Sequence, residues 1–284
     1  MRQVKLHLAN CWPAALVIRL RRIYWYAMRR LGFYSMAMVA LMLGGGLLFR
    51  VQLANWVETK VAGVSLGTRK TLYPDPQKYA VLVAELERWR TDLAKRHAAA
   101  KNQEERKTVE QDARVILETV LPAMMRCWLG TPWDYNGTAA KPGDGSVACG
   151  YFVATVLKDA GFQLNRYRLA QQPSENILRT FLPKSACSLT IGQKYKNFAA
   201  NLEKSPPGIY LIGLDTHVAF LVVESGSFRM IHASGSRPWC VVDEPRDHAP
   251  VLEKSNWRMI GNLTGDARLV RRWLLRDKFD VHGT

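Results

Sequence analysis

Residues 31–49, LGFYSMAMVALMLGGGLLF, form a run of nineteen residues without a charged side chain. No other feature restricts the folding of this chain so strongly. As a helix rising 1.5 Å per residue the run spans about 28 Å, close to the roughly 30 Å thickness of a hydrocarbon core. Arg29 and Arg30 close it on one side and Arg50 on the other. No acidic residue precedes Glu58, and eight basic residues in the first fifty supply half of the formal net charge of +16. Basic charge concentrated beside an apolar run points to a membrane rather than a polynucleotide, and no nucleic-acid-binding motif is present. The positive-inside rule then places residues 1–30 in the cytoplasm and the chain beyond residue 50 outside it, as a single-pass anchor in the cytoplasmic membrane. A cleaved leader is the alternative, but thirty residues before the apolar run is long and no small-x-small cleavage site follows. A buried helix of a soluble protein is the remaining reading.

Residues 12–30 interleave aromatics, aliphatics and arginines, a pattern suited to an amphipathic helix on an anionic leaflet or simply to a long cytoplasmic flank. Residues 77–120 carry interrupted apolar stripes, Tyr79 to Leu93 and Val109 to Val120, which predict two helices with a polar break near 99–103. From residue 128 the texture changes. Gly130, Pro132, Gly137, Pro142, Gly143 and Gly145 mark a loop of about twenty residues, long enough to be functional or disordered. A helix is expected from Cys149 to Gly161, and short strands at 209–212, 218–223, 228–232 and 239–242. A helix followed by short antiparallel strands indicates an α+β domain.

Five cysteines show neither a C-x-x-C pair nor a zinc-knuckle spacing. A disulfide among Cys127, Cys187 and Cys240 is open, and its pairing cannot be chosen from spacing. Cys149 stands apart. It falls at the expected start of a helix just after the glycine-rich loop, where the helix dipole and free backbone N–H groups favour a thiolate. His217 follows the turn Leu214-Asp215-Thr216 and opens one strand, and His232 closes the next. A hairpin would bring the two imidazoles side by side. A thiol needs a base to activate it, and the base needs a third group to orient it. Each residue alone is more often a core or structural residue, and it is the order of the three that carries the reading.

These residues resemble the NlpC-type cell-wall peptidases of the papain-like superfamily. In that family a helix leads into Gly-Thr-Pro-Tyr, a Trp-Gly-Gly turn, then Asp-Cys-Ser-Gly-Phe-Val opening the nucleophile helix. Here the order is Gly130-Thr131-Pro132-Trp133, Tyr135-Asn136-Gly137, then Ala148-Cys149-Gly150-Tyr151-Phe152-Val153. Gly161, Leu164 and Arg166 stand where the family has a Gly and Leu-x-Arg. The family's His-Val-Gly-Ile-Tyr and Ile-His-Ala strands correspond to His217-Val218-Ala219-Phe220-Leu221 and Ile231-His232-Ala233. The likeness covers about residues 110–243. The family's Asp and Ser around the nucleophile are Ala148 and Gly150 here, so its stem-peptide specificity does not carry over. Trp133 replaces a tyrosine near the thiol, with Tyr135 or Tyr151 as substitutes.

The resemblance implies a papain-like, NlpC-type α+β domain at 110–263. Before it would come a basic cytoplasmic segment at 1–30, a transmembrane anchor at 31–50 and a linker and helical region at 51–109. A basic helix or tail at 264–284 would follow. It implies an amide hydrolase with Cys149 as nucleophile, His217 as base and His232 as orienter, and substrate contacts from Trp133, Tyr135 and Tyr151. No metal or organic cofactor is called for. The substrate expected of an extracytoplasmic domain is peptidoglycan, with a lipid or protein amide or a non-catalytic wall-binding role as rivals. The sequence leaves the oligomeric state open.

Overall fold

Pro76 at the first helical position and Asp75 as N-cap, its carboxylate accepting from the Lys78 N–H at 2.8 Å, start helix α1 (Pro76–Ala99). The computed structural model describes residues 73–283. The amphipathic segment 12–30, the apolar run 31–49 and most of the linker lie outside the described residues. No helix among the described residues is long and apolar enough to cross a membrane. Asn102 caps helix α2 (Gln103–Arg126) through the Glu105 N–H, so the polar break falls where the stripes predict it. Pro122 lies inside α2 without ending it.

The turn-rich segment 128–148 delivers the chain to helix α3 (Cys149–Asp159). Gly161 follows with φ of 97°, the left-handed position that stops a helix. The chain continues through β1 (Gln163–Leu164), α4 (Arg166–Ala170), α5 (Ser174–Phe181), β2 (Cys187–Ile191), α6 (Tyr195–Leu202), β3 (Gly208–Leu214), β4 (Val218–Glu224), β5 (Ser227–Ala233) and β6 (Val241–Pro245). It ends with α7 (Pro250–Lys254), β7 (Trp257–Asn262), α8 (Ala267–Leu274) and β8 (Lys278–Phe279). Six strands form one sheet in the order β2-β7-β3-β4-β5-β6, antiparallel throughout, and β1 pairs with β8 in a small parallel ribbon. The described residues are an α+β fold.

Side-chain alternation divides the sheet. Tyr210, Ile212, Ala219, Leu221, Phe228 and Met230 face Phe198, Leu202 and Leu252 of α6 and α7. Phe220 points the other way and meets Phe152 of α3 edge-on at 5.9 Å. Phe152 in turn meets Trp128 at 5.8 Å, and Trp128 meets Tyr79 of α1 at 5.7 Å. This aromatic ladder ties α1 to α3 and the sheet, and each fully buried large side chain in it contributes about 1.5–3 kcal/mol.

The structure moves two expected boundaries. The line at residue 110 falls inside α2, and α1, α2 and the described residues after them belong to one compact unit. The stretch after 264 is integrated as well. Leu269, Val270, Trp273 and Leu274 are buried, and the Trp273 indole donates to Ala160 O at 2.7 Å, at the end of α3. Its basic residues lie largely in ion pairs, such as Arg271 with Glu110 and Arg276 with Glu87.

Candidate active site

Residues 128–148 form an ordered collar around the start of α3. Gly130 donates to Val241 O, Val241 donates to Thr131 O, and Trp133 donates to Trp239 O, so the loop runs along the beginning of β6. Thr138 and Val147 form a bridge that folds the loop back on itself. Gly137 has no room for a side chain, since a Cβ would lie 2.6 Å from Val147 N. Arg166 fastens the collar to α3. Buried at 7% exposure, it donates to Thr155 Oγ1 at 2.6 Å, Thr138 O at 2.8 Å and Ala139 O at 2.7 Å. Its guanidinium also lies 5.1 Å from the Tyr151 ring centroid.

Cys149 is the first residue of α3, and the N-cap Ala148 offers no side-chain acceptor to the free N–H groups of the first turn. Hydrogen bonds from the backbone N–H groups of Val218, Gly150 and Cys149 itself pull the thiol pKa down. Burial outweighs them, and the thiol ends above its ordinary value. The thiolate expected from the helix dipole is therefore not the resting form. Desolvation costs the anion more than three N–H dipoles return.

The hydrogen bond from Val218 sets the residue next to His217 against the Cys149 thiol. His217 precedes β4 and keeps part of its surface open to the cavity that Cys149 lines. Burial first, and the nearby His232 second, lower its pKa from 6.5 to about 3. At rest the cavity is lined by an uncharged thiol and an uncharged imidazole. His217 Nε2 lies 2.8 Å from Nδ1 of His232, with the rings edge to face at 4.8 Å. The structure thus brings the two histidines together as the hairpin argument expects.

His232 is fully buried, and its remaining nitrogen, Nε2, lies 3.0 Å from Oε2 of Glu244. Sequence reasoning missed Glu244 because the expected strand 239–242 stops short of it, whereas β6 runs Val241–Pro245. The pairing Met230↔Glu244 and His232↔Val242 sets Glu244 diagonally across from His232 on one face. Alternation from Val242 would have found it, had the strand been continued two residues.

The cavity has a volume of about 700 Å³, and Trp133, Tyr135 and Tyr151 line it together with Cys149 and His217. Trp133 packs on Gly235, where a Cβ would come within 2.9 Å of its ring, and stands 5.5 Å from Trp239. Tyr135 and Trp239 are exposed by 80% and 50%. Asn136, Thr138, Gln171, Gln172, Thr216 and Ser236 complete the polar part of the lining, and none of them was expected from the sequence to contact substrate. Among the described residues lining the cavity there is no Asp, Glu, Lys or Arg.

Two positions where the sequence departs from the motif it resembles have local consequences. Ala148 contributes no carboxylate. Gly150 cannot be a serine, because a Cβ there would sit 2.2 Å from the backbone oxygen of Ala170, at the end of α4. Cys127, Cys149, Cys187 and Cys240 are all free thiols, so the disulfide left open among three of them does not form here. No family model matches this chain, and neither does any curated protein or solved structure.

Proposed function

We propose that this chain is a cysteine hydrolase that cleaves amide bonds on a papain-like, NlpC-type domain, with Cys149, His217 and His232 as its catalytic group. The observation that carries the reading is the arrangement at the cavity floor. An uncapped helix N-terminus holds the Cys149 thiol, the Val218 N–H touches that thiol, and His217 is hydrogen-bonded to a buried His232 at 2.8 Å. A cysteine at a helix start, with a histidine base that a third group orients, is an arrangement suited to thiol-dependent acyl transfer.

The mechanism begins from the uncharged pair. As Sγ bonds to the carbonyl carbon, the thiol proton passes to His217 and the carbonyl oxygen becomes an oxyanion. The backbone N–H groups of Cys149 and Gly150 stabilise that oxyanion at the positive end of α3. Collapse breaks the C–N bond, and His217 gives its proton to the departing amine. Water then adds to the thioester with His217 again as base, releases the acid and restores the thiol.

We assign the substrate to peptidoglycan cross-link or stem amides, and the domain to the outer side of the cytoplasmic membrane, anchored through residues 31–50. The support for this topology is the sequence pattern alone. Without a carboxylate at position 148, and with an aromatic and amide-rich lining, the site favours an amide flanked by uncharged groups. The test is mass spectrometry of purified muropeptides incubated with the full-length protein and with Cys149→Ala. New products that appear with the wild type only would support the reading. Retained wall binding without turnover would leave a binding module instead, and cleavage confined to lipid or protein amides would reassign the substrate.

A further inference from the structure

We propose that Glu244 is a positioning residue for this site, the charged end of a chain Glu244–His232–His217 that dictates which nitrogen of His217 accepts the thiol proton. The proposal rests on the reading of Cys149 and His217 as nucleophile and base.

The geometry works through tautomers. A carboxylate only accepts hydrogen bonds, so at 3.0 Å from Glu244 the Nε2 of His232 must carry a hydrogen. An uncharged His232 protonated on Nε2 presents a lone pair at Nδ1. That lone pair, 2.8 Å from His217 Nε2, requires a hydrogen there in turn. An uncharged His217 with its hydrogen on Nε2 has its free lone pair on Nδ1, the nitrogen not engaged with His232. When the thiol proton arrives at Nδ1, the imidazolium forms at the head of a chain that ends in a negative charge, and no proton leaves His217 for His232 or Glu244.

The neighbouring charges do not compete for this role. Asp243, pointing to the other face of β6, is held by Arg126 at 2.8 Å and Arg229 at 2.6 Å. Arg246, in the turn after β6, is engaged by Glu203 and Asp247. The pairing of Glu244 with fully buried His232, at 13% side-chain exposure for the carboxylate, is thus a dedicated contact between the neighbouring strands β5 and β6.

Iodoacetamide alkylation of Cys149 in the full-length protein tests this without a substrate, read by peptide mass spectrometry from pH 5 to 10. The proteins compared are wild type, Glu244→Gln, Glu244→Leu and His217→Ala. Histidine 15N spectra report the tautomers of the same proteins. Expected are Nε2–H tautomers for both His217 and His232 in wild type. Glu244→Leu should slow Cys149 alkylation near neutral pH by about tenfold or more and shift the tautomer populations. Glu244→Gln keeps an acceptor and should stay within about threefold of wild type, while Cys187 and Cys240 react alike in all four proteins. Wild-type rates, pH profile and tautomers in Glu244→Leu, with His217→Ala slow, would overturn the positioning role of Glu244 alone. His217→Ala alkylated as fast as wild type would overturn the base assignment and the positioning role with it.

Discussion

Replacing Gly150 with alanine sets two effects of known sign against each other. Gly150 is the second residue of α3, and a glycine-to-alanine change in a helix is worth up to about 1 kcal/mol of stabilisation. Against this, the new Cβ would lie 2.2 Å from Ala170 O and 3.1 Å from its carbonyl carbon. The obstacle is backbone, so no side chain can rotate out of the way. Overpacking of this kind costs about 1–3 kcal/mol, and a rigid carbonyl puts the cost near the upper end. The clash wins, and Gly150→Ala should lose about 1–2 kcal/mol net. For a folded unit of this size that lowers Tm by about 2–8 °C. Relief requires the end of α4 to move, which carries Gln171 and Gln172 away from the cavity they line. Urea and thermal unfolding of the wild type, Gly150→Ala and Gly150→Ser would measure it, with Gly150→Ser at least as destabilised as Gly150→Ala. A Gly150→Ala protein as stable as wild type would refute the argument, and would mean that α4 does not press on α3.

Stability should fall on acidification through His217. Its folded pKa of about 3 lies below the ordinary 6.5, so between those values the unfolded chain binds a proton that the folded chain does not. The contribution is complete above pH 6.5 and is lost as pH falls towards 3, at up to about 1.4 kcal/mol per pH unit. Denaturation at a series of pH values should show a shallower slope in His217→Asn, and equal slopes would count against it. Arg166→Met should cost at least about 3 kcal/mol, since three charge-assisted hydrogen bonds to Thr155, Thr138 and Ala139 are lost, and should open residues 130–148 to protease. Unchanged stability and proteolysis would show that the collar holds without it. Cys127, 4% exposed and with burial pushing its thiol up to about 12, should resist alkylation until the protein unfolds. Modification in the folded state at the rate of Cys187 would contradict that packing.

Local chemistry determined much of this protein before any packing was considered. The capped starts at Asp75 and Asn102, the polar break between α1 and α2, the turn-rich collar and the Gly161 stop are short-range effects, readable because their partners lie within a few residues. The cysteine at a helix start and the two histidines at neighbouring strand ends were legible for the same reason, since a hairpin fixes the relation of β4 to β5. Strands β2 and β7 were not, because their pairing is long-range and their composition misleads. Leu189 and Ile191 of β2 are half exposed or more, and β7 buries Arg258 at 1% exposure, its charge satisfied by the carbonyls of Gln193, Leu252 and Glu253. The protonation state of the site was beyond the sequence too. A helix dipole is visible in a motif, but the desolvation that overrides it at Cys149 and lowers the pKa of His217 exists only once collar, sheet and helix close around them. Glu244 reaches His232 through the register of β6, and register is set by which face the whole sheet buries, a decision taken by tertiary structure alone.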